Sequence, residues 1–211
     1  ASSAASDVYK RQRLYDATQG EVLVDGVNVK DYDIEALRNK VGIVMQKAVL
    51  FKGTIRENMW MGKKGATDEQ IDEALEISQS KEFVDSKQGR LDYVIEQGGK
   101  NLSGGQRQRL TIARAIVRKP DVLILDDSAS ALDFATDAAL RKAIRGMNNS
   151  PTVFIVSQRA ASLMYADLII VLDDGKVAGM GTHDELLANC EVYKEIYESQ
   201  FKKADSEGGV A

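Results

Sequence analysis

The stretch from Leu102 to Asp133, LSGGQRQRLTIARAIVRKPDVLILDDSASALD, confines the chain to a small set of folds. Ser103 and Gln106 have the spacing of a capping box, in which each side chain satisfies a backbone N–H at a helix start. Leu110, Ala113 and Val117 recur at helical spacing, and Pro120, with no N–H to donate, ends the helix. Val122 to Leu125 follow as an apolar run of strand length. A strand apolar on both faces needs cover on both sides, which helices crossing over a parallel sheet provide.

The same alternation recurs along the chain. EVLVDGVNV, Glu21 to Val29, is two short β runs about Asp25-Gly26, a hairpin signal. Asp33 caps a short helix to about Asn39, and Val41 to Met45 read as a buried strand. Thr67 and Gln70 make another capping box, with Ile71, Ala74 and Leu75 on one helix face. Leu140, Ile144 and Met147 mark a helix closed by NNSP. Val153 to Val156 and Leu168 to Leu172 are strands, and Asp174-Gly175 turns a closing hairpin. Thr182 and Glu185 open a helix expected to reach about Lys203. The prediction is an α/β fold with a mostly parallel sheet and an antiparallel hairpin portion. Ligands of such sheets sit at the carboxyl ends of the strands. Gln46, Asp126 with Asp127, and Ser157 with Gln158 all fall just after predicted strands, so three polar sites are predicted to converge on one edge.

Size and charge narrow the function classes. With 211 residues, 44% of them apolar, the chain can bury a real core as one globular domain. A net charge of −4 argues against nucleic acid as a partner, since phosphate backbones call for a basic surface. Cys190 is the only cysteine, so no internal disulfide forms and a reducing compartment is expected. No apolar run approaches the roughly 18 residues of a membrane helix. Residues 1–12 have neither a signal peptide's apolar centre nor a helical period and read as a non-native leader, while residues 204–211 read as a frayed tail.

The chemistry-bearing residues start with Asp126. A carboxylate held at a strand end can bind Mg²⁺ that bridges phosphate oxygens. Taken alone, a strand ending in Asp before a turn is ordinary. The helix start at LSGGQ adds free N–H groups, partial positive charge and two glycines that let an anion approach the backbone. Together, LSGGQ-RQR and the strand ending in Asp126 resemble the signature and Walker B elements of ATP-binding-cassette (ABC) ATPases. MQKAVLFKGTIRENM (Met45 to Met59) resembles that family's Q-loop, YVIEQGG (Tyr93 to Gly99) the X-loop of its exporters, SALD (Ser130 to Asp133) the D-loop, and GTHDELL (Gly181 to Leu187) an exporter segment. The resemblance covers about Arg13 to Lys203, with a helical subdomain at about residues 59–118, and implies a P-loop ATPase core. It implies that ATP and Mg²⁺ are the cofactors, with Gln46 and Asp126 at the metal. Leu102, Ser103, Gly104, Gly105, Gln106, Ser130 and Asp133 would contact nucleotide, and Asp127 and Gln158 would take the catalytic positions.

Two of those positions depart from the family's pattern. Asp127 stands where the family has a glutamate that polarises water, and one missing methylene withdraws its oxygens by about 1.5 Å. Gln158 stands where the family has a histidine, and an amide can donate to phosphate but carries no charge and shuttles no proton. The sole histidine, His183, is expected to be structural. The implied partners are a second ABC half-transporter, in a head-to-tail dimer, and the transmembrane domains of an exporter at the cytoplasmic face of the cell membrane. The implied activity is ATP hydrolysis coupled to export, with this chain's own site degenerate and its signature serving the partner's site. A non-hydrolytic regulatory module and a soluble ABC ATPase are the alternatives. The phosphate-cradling motif G-x-x-x-x-G-K-[ST] and the first core strand are missing, so the fragment by itself is expected to be inactive.

Overall fold

The computed structural model describes residues 17–128 and 130–207, excepting the side chains of 202–207. The expected leader, the RLYD stretch at 13–16, Ala129 and residues 208–211 lie outside the described residues. The chain divides into two compact units, one ending at Val156 and one beginning at Ser157.

The first unit is organised by a parallel sheet. Strands β3 (Val41–Val44), β6 (Val122–Asp126) and β7 (Thr152–Val156) lie in the order β3-β6-β7, with Val44 opposite Leu125 and Asp126 opposite Val156. Ahead of it, β1 (Leu23–Val24) and β2 (Val27–Asn28) form the predicted hairpin. Asp25 (φ 50°) and Gly26 (φ 76°) both adopt positive φ, as a tight two-residue turn requires. Helix α1 (Ile34–Lys40) is capped by Asp33, whose side chain accepts from the Ala36 N–H at 2.9 Å. Strand β3 follows at once and stops at Val44, one residue short of expectation, leaving Met45 exposed.

Helices α2 (Ile55–Trp60), α3 (Asp68–Ile77), α4 (Lys81–Asp85) and α5 (Gly104–Ile116) come next. The capping boxes read from Thr67/Gln70 and Ser103/Gln106 are both formed, and Thr54 and Glu57 form a further one that opens α2. Leu110, Ile112 and Ile116 of α5 join Ile71 and Leu75 of α3 in one buried cluster with Leu123 of β6. A short antiparallel pair, β4 (Gly53–Thr54) with β5 (Val94–Ile95), fastens the segment after Gln46 to the YVIEQGG segment. Helix α6 (Phe134–Arg145) ends two residues before Met147, which nevertheless stays buried. Strand β6 is buried as expected, whereas every residue of β7 is partly or fully exposed.

In the second unit, β8 (Ile169–Asp173) and β9 (Lys176–Gly181) form the closing hairpin. The helix expected from Thr182 to about Lys203 is two helices, α7 (His183–Asn189) and α8 (Glu191–Glu207). Between them Cys190 is extended (φ −125°, ψ 103°). No Gly or Pro marks the break. Packing makes it: Cys190 and Tyr193 join Ile169, Val171 and Leu186 in one core, and a Cβ on Gly179 would come within 2.7 Å of the Cys190 Sγ. Among the described residues, no helix is long and apolar enough to cross a membrane.

Candidate functional site

Two of the predicted polar sites meet at the carboxyl ends of β3 and β6. Gln46 follows β3 by two residues, and its Nε2 donates to the Asp127 Oδ2 at 3.0 Å. Asp126 closes β6 and is buried. Asp127 leaves the strand in the left-handed region (φ 43°), which Asp tolerates better than most residues although it remains unfavourable. Its conformation is held from several sides. The Asp127 N–H donates to the Val156 carbonyl at 2.8 Å, and its own carbonyl accepts from the Ser130 N–H (3.3 Å) and hydroxyl (2.8 Å). Backbone geometry, and not side-chain length alone, therefore directs this carboxylate toward Gln46.

The start of α5 has the predicted form. Ser103 Oγ accepts from the Gln106 N–H at 3.2 Å, and Gln106 Oε1 accepts from the Ser103 N–H at 3.1 Å. The N–H groups of Gly104 and Gly105 lie in the first turn, where the helix offers no acceptor. A side chain at Gly104 would meet only the Arg107 guanidinium, at 3.9 Å, whereas one at Gly105 would press within 3.3 Å of the Ala131 carbonyl. The two glycines thus differ: the first leaves open space, and the second permits close packing within the chain. Arg107 braces the turn by donating to the Leu102 carbonyl at 2.6 Å and the Gly99 carbonyl at 3.3 Å.

Asp133 caps α6, accepting from the Thr136 N–H (2.9 Å) and hydroxyl (2.8 Å); these bonds hold its carboxyl below the usual range. In the second unit Gln158 is exposed. His183, at the start of α7, shares a 2.8 Å hydrogen bond through Nδ1 with the Tyr193 hydroxyl and packs against the Tyr193 and Tyr197 rings.

A groove of about 630 Å³ in the first unit is lined by residues that include Ile34, Arg38, Phe51, Met61, Arg114 and Arg118. Arg114 lies over the Phe51 ring at 5.8 Å and donates through Nη2 to the Val49 carbonyl at 2.8 Å, while its buried Nη1 has no partner. Burial pushes this guanidinium's pKa down, and the charge of Arg118 adds to the effect. Phe51 and Met61 are about half exposed.

A family model described as ABC transporter matches residues 12–130. The chain belongs to the ABC transporter family. An uncharacterized ABC transporter ATP-binding protein of Mycobacterium tuberculosis is 43% identical over 201 residues, which is 94% of this chain and 34% of that protein. A Staphylococcus aureus protein described as a multidrug export ATP-binding/permease protein is 38% identical, over 89% of this chain and 32% of its own length. A solved bacterial Atm1-family ABC exporter with ATP bound superposes with a TM-score of 0.88 at 32% identity, covering 93% of this chain and 35% of that one. The chain spans about a third of the length of the curated relatives it matches. Its fold is that of an ABC exporter's nucleotide-binding domain.

Within this ABC domain, hydrogen bonds join Gln46, Asp127 and Ser130, with Asp126 adjacent in the chain. Leu102, Ser103, Gly104, Gly105 and Gln106 sit together at the head of α5, and Asp133 heads α6. Gln158 belongs to the other unit. Sequence reading missed Arg107 and Arg114. Arg107 falls within the signature run, five residues after Leu102, and that closeness was a usable signal. Arg114 had none, because its neighbours Val49 and Phe51 are more than sixty residues away in the chain.

Proposed function

We propose that the chain is the ATP-binding and ATP-hydrolysing part of an ABC exporter subunit, paired head-to-tail with a second such domain and driving export through a membrane domain. One observation carries this reading: the Gln46–Asp127 bond beside Asp126, at the carboxyl end of a parallel sheet.

The residues suit Mg²⁺. Asp126 offers one carboxylate, and Gln46, with its nitrogen on Asp127, keeps Oε1 for a hard cation. Mg²⁺ takes few protein ligands and keeps water and phosphate oxygens. When bound, the ion would neutralise phosphate charge. Asp127 would accept the proton of the attacking water, but one of its oxygens is engaged by Gln46 and its reach is short, so turnover at this chain's own site is slow. Gln158 would donate an uncharged hydrogen bond to a phosphate oxygen.

The head of α5 would serve the partner's nucleotide. The Ser103 hydroxyl proton remains available while its oxygen caps the helix, and the Gly104 and Gly105 N–H groups add donors at the positive helix end. Leu102 and Gln106 frame them, and Ser130 and Asp133 would face the dimer seam. The arginine-bearing groove fits an element of the membrane domain. Phe51 and Met61 offer apolar surface, and Arg114 and Arg118 add positive charge to the groove's lining, which suits the carbonyls at a helix end. With that domain attached, the chain would lie at the cytoplasmic face of the cell membrane.

The test uses the full-length protein with its partner, comparing Ser103→Ala and Asp127→Asn for ATP turnover. Ser103→Ala is expected to suppress turnover and Asp127→Asn to change it little. The opposite pattern would mean that the competent site is the one built on Asp127.

A further inference from the structure

We propose that Gln200, on α8, is a positioning residue that sets the place of Gln158; the inference rests on the reading of Gln158 as a phosphate-contacting group. Both ends of the Gln200 amide are committed to one short stretch of backbone. Its Nε2 donates to the Gln158 carbonyl at 2.7 Å, and its Oε1 accepts from the Ala160 N–H at 2.9 Å. This is the pairing a neighbouring β-strand would make, supplied by one side chain.

The stretch is fixed on its other sides as well. The Arg159 N–H donates to the Ser157 Oγ at 3.0 Å. Ala160 is buried and opens a 3-10 turn, Ala160–Ser162, in which the Ser162 N–H donates to the Arg159 carbonyl at 3.0 Å. The backbone around Gln158 is therefore held while the Gln158 side chain stays exposed. Water could satisfy the carbonyl of an exposed residue, and ordering a long glutamine side chain has an entropic cost. Using Gln200 for that bond fixes a direction as well as satisfying an acceptor.

Helix α8 is suited to hold the clamp steady. Tyr193, Tyr197 and Gln200 fall at i, i+4 and i+7 and so share one helix face. Tyr193 is buried in the core beneath β8 and bonded to His183. The clamp is thus anchored to the second unit's core, and a disturbance of α8 would reach Gln158 without any contact to nucleotide. The clamp carries no charge, so its hold does not change with pH.

The experiment uses the full-length protein in the complex in which it is isolated and measures the half-life of radiolabelled ATP retained at the site containing Gln158. The variants are Gln158→Ala, Gln200→Leu and the double substitution, with hydrogen exchange at the Ala160 amide as a second readout. Each single change is expected to shorten retention about 2- to 10-fold, the range that one or two lost hydrogen bonds give, and the double change no further. Gln200→Leu is also expected to accelerate exchange at Ala160. If Gln158→Ala shortens retention and Gln200→Leu does not, the positioning role is wrong while the reading of Gln158 stands. A double variant whose loss is the product of the two singles also overturns the role. Should Gln158→Ala itself be silent, the reading of Gln158 fails and takes this inference with it. If Gln200→Leu does not assemble, Gln200→Glu replaces it: it keeps an acceptor for Ala160, loses the donor to Gln158, and must still shorten retention.

Discussion

The side-chain amide of Gln46 donates to the carboxylate of Asp127 across 3.0 Å, joining the ends of two adjacent parallel strands. That bond gives the second aspartate of the Asp126–Asp127 pair a partner within the chain. Asp127 is short, sits at φ 43°, and has its N–H on Val156 and its carbonyl on Ser130, so the point from which its side chain starts is fixed and its reach is set by its length.

Asp127→Glu is therefore expected to raise phosphate release from this chain's own site. The longer side chain gains about 1.5 Å of reach, and a well-positioned base contributes roughly 10²–10⁴ in rate. A gain of about tenfold or more at that site in the full-length complex is the expected result. No gain would mean that reach does not limit Asp127.

Gly62 makes a prediction about stability. A Cβ there would collide with the Arg114 carbonyl and come within 2.8 Å of the Val117 Cγ1. Neither obstacle is a flexible side-chain end, so the segment after α2 would have to move off α5. Gly62→Ala is expected to destabilise the first unit by about 1–3 kcal/mol or more, read as a lower denaturant midpoint. Gly20→Ala, with open space around its Cβ position, checks close packing against mere loss of a glycine. Its cost is expected to be smaller and to come only from its φ of 71°.

Much of this architecture was legible because it is local. Ser103/Gln106, Thr67/Gln70 and Thr182/Glu185 announce helix starts through pairs three residues apart, and all three boxes form. Thr54 and Glu57 carry the same signal, but the six-residue helix they open is too short to show a hydrophobic period. The break at Cys190 was hidden, because burial of Cys190 and Tyr193 stops the helix and no residue in the sequence does so by its own preference. For the site, the residue types and their strand-end positions could be read. The left-handed backbone at Asp127 could not, since it depends on Val156 and Ser130. Nor could the Gln200 clamp, whose halves are about forty residues apart.

Acid should loosen α6 through Asp133. Hydrogen bonds from the Thr136 N–H, then the Thr136 hydroxyl, favour its ionised form and lower its folded pKa. A group with a depressed folded pKa contributes stability that is complete above its unfolded value, about 3.9, and is lost as pH falls through the folded one. Asp133→Asn keeps an acceptor for Thr136 and cannot titrate. Its unfolding midpoint is expected to fall less steeply below about pH 4 than that of the parent, and equal slopes would show that Asp133 does not contribute to the acid sensitivity.

Arg114 separates folding from coupling. Its guanidinium is largely buried, stacks on Phe51, bonds the Val49 carbonyl, and leaves Nη1 without a partner. Replacing a buried polar group that is only partly satisfied with an apolar one of similar length loses little, because the desolvation cost disappears along with the bond. Methionine also keeps a favourable contact with the aromatic ring. Arg114→Met should therefore shift the domain's stability by no more than about 1 kcal/mol. In the full-length protein the same change removes the positive charge that Arg114 contributes to the groove's lining, and stimulation of ATP turnover by transported substrate is expected to fall while basal turnover persists. A variant that unfolds would make Arg114 a structural residue, and one that keeps full stimulation would remove the groove from the coupling path.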